Sequence, residues 1–251
     1  MDQQTIDRLH RMRMTGFAEE LQRQGEQDAE YRQMQFEERV AFLVEQEWLH
    51  RENRRLSGRL RAAKLKQAAS MEEIDYTHPR GLNRTAARQL ARCDWVRQKE
   101  NVLIIGPTGV GKTYLACALA NQACREGHTT LYTRLPRLLS DIEDARAEGT
   151  YPKMMRKLSR VGVLVIDDWG LAPLGDRQRR DILEVLEERW DIGSVVVTSQ
   201  LPVKDWHALM GDATLADAIL DRLVHNAHRL ELEGESMRKM KKGLRSKTTG
   251  K

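Results

Sequence analysis

The chain has 251 residues, 42 Lys and Arg against 37 Asp and Glu, and only 5% aromatic residues. That length holds one full α/β core and a smaller appended unit, and apolar runs of six residues or fewer are too short to span a bilayer. Asp2 and Asp7 leave no apolar core for a signal peptide. The three cysteines, Cys93, Cys117 and Cys124, lack Cys-x-x-Cys spacing, and the seven histidines suggest no metal site. Buried thiols in a reducing, cytoplasmic setting are the expectation.

Residues 1–70 read as wholly helical. Leu9, Met12, Phe17, Leu21, Phe36, Val40, Leu43, Val44 and Leu49 fall at amphipathic spacings, with interruptions expected near Gly16 and Gly25–Asp28. The end of this region is basic: Arg51, Arg54, Arg55, Arg59, Arg61, Lys64 and Lys66 stand against one acid, Glu52. Arg80, Arg84, Arg88 and Arg92 recur every four residues, one basic stripe if that stretch is helical. A third basic cluster, Arg238 to Lys251, ends the chain in a tail expected to be disordered. Any one such run is ordinarily a solvated face. Three of them favour a phosphate backbone as partner, and the scarcity of aromatics favours duplex over base-stacked single strand.

Residues 71–100, with His78-Pro79-Arg80-Gly81, read as a connector into a core spanning 101–235. The core opens on Val102-Leu103-Ile104-Ile105, a buried strand, followed by Gly106-Pro107-Thr108-Gly109-Val110-Gly111-Lys112-Thr113 and a helix from Tyr114 to Cys124. This is a complete phosphate-binding loop between strand and helix. Its backbone N–H groups face the phosphates, Lys112 reaches the β- and γ-phosphates, and the Thr113 hydroxyl ligates Mg²⁺. A strand at Thr129–Thr133 and a charged helix from Arg137 to Leu158 come next.

Val163-Leu164-Val165-Ile166-Asp167-Asp168 has the form of a Walker B strand. Asp167 is expected to hold the Mg²⁺ shell, and Asp168, on the other face of the strand end, to orient or deprotonate the attacking water. A helix from Asp176 to Asp191 precedes Ser194–Gln200, an additional strand ending in three polar residues. Thr198, Ser199 or Gln200 could each touch the γ-phosphate. Spacing does not choose, and Ser199 is carried as the catalytic candidate. A final strand is expected at His228–Leu232. No Asn-Lys-x-Asp string reads guanine, so ATP is favoured over GTP.

The phosphate loop, Val-Ile-Asp-Asp-Trp-Gly, Val-Thr-Ser-Gln-Leu-Pro, Asp221-Arg222-Leu223 and Gly234-Glu235-Ser236-Met237-Arg238, in that order, resemble the IstB-type ATP-binding proteins. These are AAA+ helpers of insertion-sequence transposases, related to DnaC-type helicase loaders. The resemblance covers nearly the whole chain. It implies a P-loop α/β fold with a parallel sheet and helices on both faces, behind a small all-α N-terminal domain. It also implies ATP-dependent self-assembly on duplex DNA and recruitment of a cognate transposase. A helicase loader acting through its N-terminal segment is the alternative. Arg222 matches the arginine that completes a neighbour's ATP site, although a helix-surface arginine paired with Asp221 or Asp217 fits the position too. Arg238 is a weaker candidate for a second γ-phosphate contact.

Overall fold

Every apolar run read as a strand is one, and all of them lie parallel. In the computed structural model, which describes residues 2–26, 31 and 33–237, β1 (Asn101–Ile105), β2 (Thr130–Arg134), β3 (Val163–Trp169), β4 (Ser194–Ser199) and β5 (Ala227–Glu231) form one sheet. Its order is β2-β3-β4-β1-β5. The additional strand β4 therefore sits between the strand carrying the phosphate loop and the strand carrying the paired acids. All residues of β1 and β4 are buried, while β2 and β5, at the edges, expose part of theirs.

Alternation along the strands supplies two cores. Val102, Ile104, Val163, Val165 and Val196 pack on one face against Leu115 and Leu119. These come from α6 (Lys112–Arg125), the helix that follows the phosphate loop. The same core takes in Leu90 and Trp95 of α4 (Arg84–Ala91) and α5 (Asp94–Arg97), so part of the stretch read as a connector is core. Leu103, Ile105, Leu164, Ile166 and Val197 face the other way. They meet α7 (Leu135–Ala147), α8 (Tyr151–Arg160), α9 (Asp176–Glu187), α10 (Val203–Met210) and α11 (Ala213–Val224). The single helix expected over Arg137–Leu158 is thus two, broken at Glu148–Thr150. Arg189, buried after α9, ties the far end of this layer by donating to the carbonyls of Leu158, Val161 and Ser194.

By backbone packing the chain divides into Met1–Gly58 and Arg59–Lys251. The first unit comprises α1 (Gln3–Arg11), α2 (Thr15–Glu26) and most of α3 (Phe36–Ala63). The interruption expected at Gly16 falls instead at Met12–Met14, where Arg13 takes φ +60°. Gly16 lies inside α2 because a Cβ there would stand 2.6 Å from the Gln46 carbonyl oxygen of α3. Glu47 fixes the crossing by accepting from the Phe17 N–H at 3.1 Å and the Arg51 Nε at 2.6 Å. The amphipathic reading of α3 also changes: Leu43 is buried, but Phe36, Val40 and Val44 are exposed. No helix among the described residues is long and apolar enough to cross a membrane.

Candidate nucleotide-binding site

The site lies where β1, β3 and β4 end, at the carboxyl edge where open parallel sheets bind ligands. Residues 106–111 turn from β1 into α6, and Gly111, at φ +98°, precedes the helix's first residue, Lys112. The unpaired N–H groups of that helix end and its positive pole face the cavity. Gly111 is required twice over, by its φ and because a Cβ would meet Arg80 Nη1 at 2.5 Å. Lys112 Nζ donates to the carbonyls of Gly106 at 2.7 Å and Pro107 at 2.8 Å, inside the loop it serves. A cavity of about 640 Å³ opens above the loop, within the range of small-molecule sites.

Thr113 lines this cavity and meets Asp167, its hydroxyl 3.1 and 3.0 Å from the two carboxylate oxygens. Asp167 is wholly buried. Tyr132 OH donates to its Oδ2 at 2.5 Å, and the Thr198 hydroxyl donates to its Oδ1. Burial pushes the Asp167 pKa up, but the bonds from Thr198, Tyr132 and Thr113, together with the Lys66 ammonium, outweigh it and hold the group below its ordinary value. A hydroxyl beside an ionised carboxylate is the hard oxygen set that Mg²⁺ takes when phosphates and water complete its shell. Thr113 and Asp167 would hold the ion, which supplies charge neutralisation at the phosphate oxygens.

Comparison with known proteins points to ATP as the nucleotide. The sequence model of the family described as IstB-like ATP binding protein matches residues 7–245. This chain belongs to that family. It is 47% identical over 238 residues to an insertion-sequence ATP-binding protein of Sinorhizobium fredii, covering 94% of this chain and 96% of the relative. To the IS21 ATP-binding protein of Pseudomonas aeruginosa it is 34% identical over 244 residues, 96% and 92% of the two chains. AMPPCP-bound DnaA from Aquifex aeolicus superposes with a TM-score of 0.56 at 18% identity, over 73% of this chain and 56% of that one. The DnaC helicase loader gives 0.53 at 21%, over 65% and 96%. These structural likenesses show the fold alone, and it is the P-loop parallel sheet read from the motifs.

In this IstB-like chain a register shift between β3 and β4 separates Ile166 from Trp169 and re-aims Asp168, which adopts φ +63°. Asp168 lines the cavity. Its Oδ2 accepts from Arg134 Nε at 2.6 Å, and its N–H donates to the Thr198 hydroxyl at 3.2 Å. One Thr198 hydroxyl thus links the Asp167 carboxylate to the Asp168 backbone N–H. Of the polar residues ending β4, Ser199 is turned away: its hydroxyl donates to the Trp169 carbonyl and accepts from the Leu201 N–H. Gln200 reaches the cavity and accepts from the Thr108 hydroxyl at 2.7 Å.

Arg222 stands at the opposite end of the sheet. Its carbonyl accepts from Asn101, the first residue of β1, whereas the phosphate loop follows the last. Its guanidinium bonds Glu187 at 3.1 Å and the Ala218 carbonyl at 3.0 Å, with Asp221 at 3.9 Å, so Glu187 rather than Asp217 or Asp221 is its nearest acid. Arg238 lies outside the described residues, as does the basic tail that follows it.

Two of the seven basic residues read as DNA contacts have other work within the core. Arg59 donates to the Cys124 carbonyl at 2.8 Å, at the C-terminal end of α6. Lys66 lines the nucleotide cavity, 3.6 Å from Asp167. Arg51 and Arg55 are paired with Glu47 and Glu52, while Arg54, Arg61 and Lys64 are exposed. The four-residue basic stripe is shorter than read, because α4 begins at Arg84 behind the N-cap Asn83.

Arg80 is instead 2% exposed beneath the phosphate loop, donating to the Val110 and Asp75 carbonyls at 3.0 Å each. Met237 closes the same loop through its N–H to the Gly109 carbonyl at 3.0 Å. Neither residue's part was legible in sequence, since both arrive from outside the loop. Arg80→Met removes the donors to two carbonyls, the buried one being Val110 in the loop, and should weaken ATP binding roughly tenfold. A nucleotide titration reads this directly, and unchanged affinity would mean the loop keeps its shape without the arginine.

Proposed function

We propose that this IstB-like protein is a Mg²⁺-dependent ATPase that assembles on duplex DNA and serves a transposase by recruiting it to, and remodelling, the target DNA. The observation that carries the ATPase reading is that Thr113 and Asp168 line one cavity with the phosphate loop while Thr113 is bonded to the buried Asp167. A site built only to hold nucleotide has no need of the second, re-aimed carboxylate. Relatives named as insertion-sequence ATP-binding proteins along nearly their whole length support the transposition role. Self-assembly is supported by Arg222, which stands at the far end of the sheet from its own phosphate loop, as an arginine serving a neighbour's loop would.

Duplex contact is assigned to Arg54, Arg61 and Lys64, the exposed residues of the N-terminal basic cluster left after those engaged in the core and those paired with Glu47 and Glu52 are set aside. Reversing all three to Glu should abolish duplex binding at physiological salt while leaving ATP affinity intact. At lower salt the slope of log affinity against log salt should fall by about 0.9 for each phosphate no longer neutralised. Binding by the parent should be independent of sequence and stronger with ATP, since assembly multiplies the phosphates engaged. A triple variant that binds duplex like the parent would move the DNA surface elsewhere and favour the helicase-loader reading.

A further inference from the structure

The basic run from Arg59 to Lys66 parts where α3 ends. Ala63 is the last residue of that helix, and Lys64 turns the chain at φ +52°. Beyond the turn Leu65 packs against the core that contains Leu115 and Leu119, and Ala69 is buried in it, so the backbone between them is held to the core. Arg61 and Lys64 stay outside, whereas Lys66 lines the nucleotide cavity. Its ammonium lies 3.6 Å from Asp167 Oδ2 while its side chain remains 42% exposed, neither locked in the core nor wholly in solvent.

A salt bridge alone is a poor account of this lysine. Asp167 already accepts from the Thr113, Thr198 and Tyr132 hydroxyls, and it is the carboxylate that Mg²⁺ would claim. An ammonium and a divalent cation beside one carboxylate repel each other. Of the cavity's other cations, Lys112 belongs to the phosphate loop, Arg80 is bonded to the Val110 and Asp75 carbonyls, and Arg134 is bonded to Asp168. The two acids mark the γ-phosphate end of the cavity, because the metal joins the β- and γ-phosphates and the base faces the attacking water. We propose that Lys66 is a second lysine for the triphosphate: its ammonium leaves Asp167 for the γ-phosphate as Mg²⁺ takes the carboxylate. A compact charge on a flexible four-carbon stem makes that exchange without moving the backbone that carries it. This contact, which presupposes the Mg²⁺-ATP reading above, comes from outside the phosphate loop and the paired acids, and a diphosphate lacks it.

Equilibrium binding of AMPPCP and of ADP to the full chain, each with Mg²⁺, tests the assignment. Lys66→Met should weaken AMPPCP binding about tenfold, the low end for a charge-assisted hydrogen bond because the site is partly exposed. ADP affinity should be unchanged, which also shows that the variant is folded. Lys66→Arg keeps the charge and should recover most of the AMPPCP affinity. In the parent chain, acetylation by an amine-reactive reagent, read by mass spectrometry, follows the same lysine directly. AMPPCP with Mg²⁺ should protect Lys66 and ADP with Mg²⁺ should not, with the exposed Lys64 as internal reference. Equal weakening of both nucleotides by Lys66→Met overturns the proposal and makes Lys66 a support of the loop. So does unchanged affinity for both, or tighter AMPPCP binding, the mark of an ammonium that only competes with Mg²⁺. A parent chain that binds neither nucleotide overturns the nucleotide reading itself, and this role with it.

Discussion

Replacing Arg222 with alanine is expected to leave ATP binding intact and to lower hydrolysis by roughly 10³–10⁵, the range over which arginine fingers act. The effect must come from a neighbour's site, because Arg222 sits at the end of the sheet away from its own phosphate loop. Its partly exposed ion pair with Glu187 contributes ~1 kcal/mol or less, so the fold should survive the change. Glu187→Ala separates the two readings. It breaks the same pair but leaves the finger, and it should hydrolyse ATP near the parent rate. Mixing Arg222→Ala with Asp168→Asn tests action in trans. A productive junction needs Asp168 from one subunit and Arg222 from the next, so equal amounts paired at random should recover about a quarter of the parent rate if each finger acts independently. A co-assembled mixture no faster than the average of its components would confine Arg222 to its own subunit or to the fold.

Asp168→Asn is expected to keep ATP affinity and to lower turnover by roughly 10²–10⁴, the usual contribution of a general base. Asparagine is the informative substitution because the residue sits at φ +63°, where Asn and Asp are the best tolerated side chains after glycine. The backbone of the bulge is thereby kept while the carboxylate is lost. Lys112→Ala should do the reverse at the binding step, weakening ATP affinity about 10- to 100-fold by removing a charge-assisted hydrogen-bond donor to the phosphates. Phosphate release and nucleotide affinity measured on both variants separate the roles. Parent-like turnover by Asp168→Asn would assign the base elsewhere.

The features legible in the sequence are those set by residues near one another in the chain. The phosphate loop needs Gly111 for a positive φ and Lys112 at the start of a helix, and the eight consecutive positions 106–113 state both requirements. The strands show as apolar runs because both faces of a parallel sheet are buried. The acids at the end of β3 show because charge stops such a run where the sheet meets solvent and ligand. For the same reason Thr113 and Asp167 could be paired in advance, since loop and acid lie at matching ends of strands in one sheet.

What pairing and packing decide was hidden. Tyr132 and Arg134 act on the two acids because β2 lies beside β3, with Arg134 opposite Asp167, and nothing within β2 states which strand it joins. Ser199 and Gln200 divide the polar end of β4 by which way each points, a matter of pleat and register rather than composition. Lys66 and Arg80 belong to basic runs that read as DNA surface. Charge in sequence does not say whether a side chain meets solvent or turns inward, and here the first reaches Asp167 and the second the underside of the phosphate loop. Phe36, Val40, Val44 and Trp48 on α3 make the same point from the apolar side. A spacing of four states that these residues share a face of a helix, but only the tertiary structure shows that this face, unlike the one bearing Leu43, has no partner within the described chain. Periodicity fixes direction relative to the helix axis; burial depends on which elements fold back against it.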